Sequence, residues 1–539
     1  MHSIIVSGRK QGEKPKLKCF TCKNPLSSNL CILETEIEDI MKKCLTTLCY
    51  ITLLSILQAV PFTLFFTNDT HGAYLPNTYK TAQGDISLGG YENLYNLIKA
   101  QRDTLRNSLW LDAGDQQTGS VYSSLVYKKA IGGAVVQTFN KMGLDAATFG
   151  NHEFDQSYDN TRRLAKLAKY PFLSANLIAK GTGKPITNKP YKIFDRNGLK
   201  IGVLGLTLTE LPEKVKAENV SNLTILPYKQ AIDKYIEEID RKTDLIILLT
   251  HNGIEADSLL ATQLDNRIDL IVGGHTHAVT EKPLVVNGII IVQTGSHLVY
   301  YGRLDLEVEQ DRIVNQLADT ECLFPVLETK SSQQTAFHRF FRQQTERIDK
   351  NMNKVIGYTE VDWIPNKFME TAVSEWQAEA LLAEYNDKYH PDIAMINCGG
   401  IRKAIPAGPI TLRDMTEMLP FTNYVVIFSC KGSDLVTLDN MNKKNRIEKP
   451  YDIIQTTMPL VKTYVGAREI TLPDGSVSTD IGFSTLDPDK IYRVVSHDYV
   501  VGQWDKYLGF KPFDVTVTKD TITEVMIRQV EKQLGKKKL

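Results

Sequence analysis

The sequence has no excess charge of either sign. Its 63 lysines and arginines are matched by 63 aspartates and glutamates over 539 residues. Proteins that grip nucleic acid through its phosphates carry a basic excess, so this balance argues against a nucleic-acid partner. It leaves a small phosphorylated ligand open. Cysteine is scarce beyond residue 49: Cys19, Cys22, Cys31, Cys44 and Cys49 come first, and only Cys322, Cys398 and Cys430 follow. Cys19 and Cys22 form a C-x-x-C with no second pair at zinc-ribbon spacing, which reads as unrelated cysteines. The apolar stretch Leu45–Leu57 falls short of the roughly 20 residues that a membrane-spanning helix needs. The chain ends in Lys536-Lys537-Lys538 with no apolar tail, so neither a C-terminal lipid anchor nor a stable membrane anchor is expected. There is no internal repeat and no low-complexity linker. Oligomeric state leaves no trace in the sequence.

What is present is ordinary globular composition, 42% hydrophobic and 23% charged, in a chain too long for one compact core. Met41-Lys42-Lys43, the run Leu45–Leu57 and Gln58-Ala59 follow the basic, apolar, small-residue order of an export signal. Residues 41–59 are therefore expected to direct secretion or periplasmic export. Residues 1–40 lack any periodic pattern and precede that signal, so they are read as an extension outside the folded protein, with Met41 as the true start. From Pro61 to about Pro325, short apolar runs at Phe62–Phe66, Leu109–Ala113, Leu245–Leu249 and Leu270–Val272 alternate with amphipathic stretches at Ile131–Met142 and Tyr228–Ile239. That alternation predicts an α/β domain over 60–328. Ser331–Lys354 carries Phe337, Phe340 and Phe341 at helical spacing and reads as a linker helix within 329–354. A second α/β unit is expected over 355–527, with a helix around Glu370–Tyr385 and strands at Ile393–Ile396, Tyr424–Ser429 and Ile491–Val495, before a basic tail at 528–539.

The chemistry gathers where the buried runs end. They lead into Asp69-Thr70-His71-Gly72, Gly114-Asp115, Gly150-Asn151-His152-Glu153-Phe154-Asp155, His251-Asn252-Gly253 and Gly273-Gly274-His275-Thr276-His277. In α/β sheets, sites form beyond the carboxyl ends of strands, and glycines let the backbone turn sharply enough for ligands to converge. Of ten histidines, five (His71, His152, His251, His275 and His277) fall at these ends. Carboxylates and imidazoles suit zinc, manganese or similar divalent ions. Two such ions about 3.5–4 Å apart can clamp a phosphoryl group.

The ordered set Asp69-x-His71, Gly114-Asp115, Gly150-Asn151-His152-Glu153, His251 and Gly274-His275-x-His277 resembles the calcineurin-like metallophosphoesterases. Leu111-Asp112-Ala113-Gly114-Asp115, Gly150–Asp155 and Phe172-Leu173-Ser174-Ala175-Asn176-Leu177 are similar, more closely, to the 5'-nucleotidase family. The resemblance covers about residues 62–510. It implies a four-layer α/β/β/α metallophosphoesterase domain joined by the linker helix to a second α/β substrate-binding domain. It implies a two-metal phosphomonoester hydrolase that releases phosphate from nucleoside 5'-phosphates through a metal-activated hydroxide. One metal would be held by Asp69, His71, Asp115 and His277, the other by Asp115, Asn151, His251 and His275. His152 would stabilise charge on the phosphoryl or leaving oxygen, with Asp155 orienting it.

In the second domain, Asn397-Cys398-Gly399-Gly400-Ile401-Arg402 matches the family's N-x-G-G-I-R segment. The resemblance implies substrate contacts from Asn397, Gly399, Gly400 and Arg402. It implies a base clamp from Phe421 and Tyr499 and a ribose contact from Asp505. The sequence departs from the family pattern at Glu370-Thr371-Ala372-Val373-Ser374-Glu375-Trp376, at Asn386-Asp387-Lys388, where an arginine is usual, and at Gln503-Trp504-Asp505-Lys506. These departures leave room for a sugar nucleotide, a cyclic nucleotide or a non-nucleotide phosphate. Two readings from other classes remain: an extracellular nucleotide-binding protein with weak catalysis, and a phosphodiesterase on nucleic acid, which the balanced charge disfavours.

Overall fold

The computed structural model describes residues 41–43, 59–81, 84–325, 335–458, 468–471, 477–480 and 487–535. The extension 1–40, the apolar part of the export segment, residues 329–334 and the terminal lysines lie outside the described residues.

Val60–Thr67 is buried on both faces from Thr63 onward, as befits a strand inside a sheet covered on both sides. It pairs in parallel with Ser108–Asp112 and antiparallel with Tyr300–Glu309. The sheet extends through Ala146–Thr148 to Phe172–Leu173 on one flank and to Arg312–Cys322 on the other. A second six-stranded sheet runs in the order Tyr191–Arg196, Leu199–Thr207, Leu245–His251, Leu270–Val272, Ile289–Val292 and Leu284–Val286.

The two-residue period of a strand then sorts the side chains into layers. Phe62, Leu64, Phe66, Leu109 and Leu111 from the first sheet meet Ile201, Val203, Ile247 and Leu249 from the second in one core. Phe65, Trp110 and Ala147 turn the other way, against Tyr91, Leu94 and Phe139 on helices. On the far side Leu204, Leu206, Leu248 and Ile271 pack with Ile232, Ile239 and Leu260. The result is helix, sheet, sheet, helix. Burying each Leu, Ile or Phe contributes about 1.5–3 kcal/mol, so the sheet pair is a rigid platform with its parallel strand ends along one edge.

Two helices differ from the periodicity reading. Ile131–Met142 becomes a helix only at Gly133, because Gly132 takes a left-handed φ of 76° and Ile131 pairs with Val126 as a strand. Tyr228–Ile239 is broken into Tyr228–Asp233 and Ile236–Asp240. The break falls at Tyr235, whose φ of −122° lies outside the helical range and whose ring lies 5.9 Å from that of Tyr191.

The helix Ala336–Met352 starts at an N-cap Thr335 that accepts from the His338 N–H. It does more than connect. Phe337, Phe341 and Ile348 join the helix-side core of the first domain, with Phe337 stacked 4.2 Å from Tyr95. Beyond it lies a five-stranded sheet ordered Ile454–Thr457, Ile393–Asn397, Ile491–His497, Tyr424–Lys431 and Phe513–Thr521. The helices Ala372–Tyr389 and Ile522–Gln529 cover one face, and Gly432–Glu448 and Trp504–Tyr507 cover the other. The segment Glu213–Lys216 of the first domain touches this unit. Lys216 Nζ donates to Thr422 O (2.9 Å) and to Asp498 Oδ2 (2.7 Å), Gln503 Nε2 donates to Val215 O (3.4 Å), and Lys506 pairs with Glu213 (3.3 Å).

Candidate active site

The donors come from strand ends along the shared edge of the two sheets. Val60–Thr67 delivers Asp69 and His71, Ser108–Asp112 delivers Asp115, Ala146–Thr148 delivers Asn151 and His152, and Leu245–His251 ends on His251 itself. Past Leu270–Val272 come His275 and His277. Five of these residues sit in the left-handed region: Asp69 (φ 47°), His71 (48°), Asp115 (54°), His275 (85°) and His277 (57°). Residues other than glycine held there are strained by roughly 1–3 kcal/mol each, and such strain persists where the surroundings enforce it, typically at functional sites.

Hydrogen bonds supply that enforcement. The Glu153 carboxylate accepts from four backbone N–H groups, those of Gly150 (2.7 Å), Asp115 (3.0 Å), Gln116 (2.8 Å) and Gln117 (3.3 Å). It thereby ties the Asp115 turn to the Gly150 turn. The contact is close enough that a Cβ on Gly150 would come within 2.1 Å of Asp115 Oδ1, so only glycine fits. Asn68 Nδ2 donates to Asp69 Oδ2 (2.6 Å) while Asn68 Oδ1 accepts from the Thr294 N–H (2.7 Å).

Three groups of donor atoms converge, each within 4.8 Å: Asp69, His71 and His277; Asp115, His251 and His275; and His71, Asp115 and His152. His275 Nδ1 lies 3.0 Å from Asn151 Oδ1, which brings Asn151 to the second group. All seven residues proposed from sequence as ligands thus meet in one place.

The donor set fits divalent cations. His71 Nδ1 donates to Thr118 O (2.8 Å), leaving its Nε2 lone pair 3.1 Å from His277 Nε2. Burial first, and the imidazoles of His297 and His277 next, hold the His71 pKa well below the ordinary range, so this ring is a neutral donor. Burial, then His251, pushes His275 down to about 3. Asp69 Oδ1 and His251 Nε2 are buried without a hydrogen-bond partner, and such orphans ask for an occupant. His251 Nδ1 donates to Ala113 O (2.7 Å), which aims Nε2 at Asp115 Oδ2 (3.2 Å) and Asp69 Oδ1 (3.9 Å). Burial alone would lower the His251 pKa, yet Asp115 and Asp69 outweigh it and raise it to about 10. The two carboxylates therefore demand positive charge between them, which a divalent ion supplies.

His152 stands at the rim of this cluster. Its backbone N–H donates to Asp115 Oδ1 (2.7 Å), and its Nδ1 meets Asp155 Oδ2 (2.7 Å) while Nε2 lies 3.8 Å from Asp115 Oδ2. Thr118 Oγ1 donates to the same Asp155 oxygen (2.6 Å). Burial pulls the His152 pKa down, but Asp155 and then Asp115 more than offset this, and it stands above its ordinary value.

From His152 a cavity of about 480 Å³ runs to the second domain, where Asn397, Gly399, Gly400, Arg402, Phe421 and Tyr499 line it. Phe421 lies 5.8 Å from the His152 ring at 29°, and the Arg402 guanidinium lies 5.8 Å from the centre of the Phe421 ring. Phe421 and Tyr499 both line the cavity, and Tyr499 neighbours Tyr507 (5.8 Å, 55°). Asp505 is exposed and not on the cavity wall, because Gln503 and Tyr507, one helical turn apart, face inward and Asp505 falls on the opposite side.

Several wall residues escaped the sequence reading. Lys367 lies between the domains, with its pKa lowered by burial first and by Arg402 second; nothing in Asn366-Lys367-Phe368 marks it. Asp452 lines the cavity beside Tyr451. His297 has its ring 4.9 Å from His71, its N–H donating to Asp69 O (2.8 Å) and a φ of 54°. It follows the buried strand Ile289–Val292, so the rule that found the other histidines would have found it too.

Residues 62–279 match the calcineurin-like phosphoesterase family, and residues 355–512 match the 5'-nucleotidase C-terminal domain. The chain is 29% identical over 496 residues to a 5'-nucleotidase of Vibrio cholerae, covering 83% of this chain and 85% of that protein. It is 26% identical over 523 residues to protein UshA of Yersinia enterocolitica, covering 87% and 90%. Among solved structures, a 5'-nucleotidase precursor from Thermus thermophilus shares the fold with a TM-score of 0.73 at 22% identity, over 88% of this chain and 96% of that one. Two domains of the matching kinds, in the matching order and with the donor cluster at their junction, place the chain in the 5'-nucleotidase family, a calcineurin-like phosphoesterase domain followed by a 5'-nucleotidase C-terminal domain.

Proposed function

We propose that the protein is a metal-dependent phosphomonoester hydrolase acting on nucleoside 5'-phosphates. The observation that carries this reading is the junction itself. A cation-demanding cluster of Asp69, His71, Asp115, Asn151, His251, His275 and His277 opens into a cavity whose far wall presents Arg402 and Phe421 to His152. Divalent ions bound there would supply Lewis acidity toward a phosphoryl oxygen and lower the pKa of water. Arg402 offers a planar fork to phosphate oxygens, and the ammonium of Lys367 on the cavity wall adds a second positive charge. Asp155 holds the His152 ring and favours its charged form, which suits a proton donor to the phosphoryl or leaving oxygen. Phe421 and Tyr499 give the cavity aromatic walls for a base.

Chromatographic identification of the products tests this on AMP, UDP-glucose, 2',3'-cyclic AMP and p-nitrophenyl phosphate with Mn²⁺: phosphate from the monoesters, UMP and glucose 1-phosphate from UDP-glucose, and a nucleoside monophosphate from the cyclic nucleotide. AMP is expected to be the best substrate, and EDTA should abolish activity until Mn²⁺ or Zn²⁺ is restored. Preference for UDP-glucose or the cyclic nucleotide would move the chain to those activities. Nucleotide binding without phosphate release would mark a binding protein.

The pattern over Met41–Ala59 supports an exported protein whose mature chain starts near Val60, where the ordered first strand begins. N-terminal sequencing of secreted material should read Val-Pro-Phe-Thr; a start upstream of Met41 defeats the export proposal. No helix among the described residues is long and apolar enough to cross a membrane.

A further inference from the structure

Asp452 is the carboxylate that the substrate cavity presents on its second-domain wall, and no motif points to it. It is held by three donors. Asn397 Nδ2 and the Gly399 N–H both donate to Oδ2 (2.8 Å each), and the Tyr507 hydroxyl donates to Oδ1 (2.8 Å). A Cβ on Gly399 would come within 2.6 Å of Oδ2, so this glycine makes room for Asp452. With two donors on Oδ2 and one on Oδ1, an ionised carboxylate keeps one acceptor position on Oδ1. A second acceptor adjoins it. Asn397 Oδ1 is buried with no hydrogen-bond partner, because the amide is turned to give its N–H₂ to Asp452. Tyr451, Tyr499 and Tyr507 complete this corner of the wall. Two fixed acceptors beside aromatic surface call for a group that stacks and donates hydrogen bonds. The metal cluster and Arg402 lie elsewhere on the wall and take the phosphate end.

Resting on the proposed nucleotidase reading, we infer that Asp452 is the specificity carboxylate of this cavity, accepting a hydrogen bond from a hydroxyl or amino donor of the nucleoside while Asn397 Oδ1 accepts a second. Asp452 lies two residues before the strand Ile454–Thr457, whose first residue pairs with Asn397.

The test compares wild type and Asp452→Asn on AMP, IMP, 2'-deoxy-AMP, 3'-deoxy-AMP and p-nitrophenyl phosphate. Asparagine keeps the shape but loses the charge, and losing a charge-assisted hydrogen bond raises KM for AMP by about ten- to hundredfold. The loss on p-nitrophenyl phosphate, which has no nucleoside, should be at least tenfold smaller. Among the analogues, the one lacking the donor that Asp452 reads should lose affinity with wild type and lose little more with Asp452→Asn. IMP in that role identifies the amino group, and a deoxynucleotide identifies the hydroxyl. Equal losses on AMP and p-nitrophenyl phosphate would reduce Asp452 to a brace for the Asn397–Gly399 turn. A selective loss in Asp505→Asn but not in Asp452→Asn would likewise overturn the assignment. If Asp452→Asn does not fold, the wild-type series still decides, since indifference to every donor removed defeats the inference. A wild type active on p-nitrophenyl phosphate but on no nucleotide defeats the underlying reading instead.

Discussion

Replacing Asp115 with alanine should abolish phosphate release and strip the protein of metal together. Asp115 belongs to two of the three donor groups, facing His251 through Oδ2 at 3.2 Å and receiving the His152 N–H on Oδ1 at 2.7 Å. Alanine would remove one of the two carboxylates that push the His251 pKa to about 10, and the cluster would lose much of its attraction for cations. If bound metal contributes several kcal/mol to the transition state, the rate falls by on the order of a thousandfold or more. Metal per chain, measured by plasma mass spectrometry, should drop in parallel. Thermal unfolding in EDTA should differ little between the two proteins, since Asp115 makes its contacts inside the site and not in the sheet cores. An Asp115→Ala protein with normal metal content and activity within tenfold of wild type would show that the site is organised around another residue.

The strand ends were legible because three independent signals coincide there: a buried apolar run, a glycine that lets the chain turn, and a metal-capable side chain. The parallel strands of each sheet leave it at the same edge, and the packing of the two sheets brings together residues far apart in sequence, such as Asp69 and His277. His297 obeys the same rule but lacks a family motif to draw attention to it. The second domain is harder to read. Its wall is built by loops that reach the cavity from different sheet edges, and a carboxylate such as Asp452 declares nothing in Pro450-Tyr451-Asp452. The exposure of Asp505 has a local reason: a single helical turn puts Gln503 and Tyr507 inward, and no apolar periodicity over four residues can reveal that. The broken helix at Tyr235 has the same origin, a tertiary contact with Tyr191 overriding an unbroken helical pattern. The two aromatics that the motifs name, Phe421 and Tyr499, both line the cavity, and Phe421 also lies against His152.

That last contact shapes what loss of His152 should do. His152→Ala is expected to lower kcat by about 10²–10⁴-fold, the range for removing a positioned acid–base group, while leaving metal content near the wild-type value. The separation follows from geometry. His152 Nδ1 is committed to Asp155 and Nε2 stands 3.8 Å from Asp115 Oδ2, at the cavity rim, whereas His251 sits buried with Nε2 aimed between two carboxylates. Because Phe421 stacks on His152, the alanine variant also frees that ring, and KM for AMP should shift as well. Asp155→Asn separates the two effects: it keeps the His152 ring under Phe421 but removes the charge that raises its pKa. Orienting partners of this kind typically cost 10–100-fold, so kcat should fall by about that much with KM little changed. Thr118, which donates to the same Asp155 oxygen, should contribute in the same direction when replaced by valine, by a smaller factor. If His152→Ala loses metal in proportion to activity, His152 is a ligand, and the donor group it forms with His71 and Asp115 holds an ion of its own.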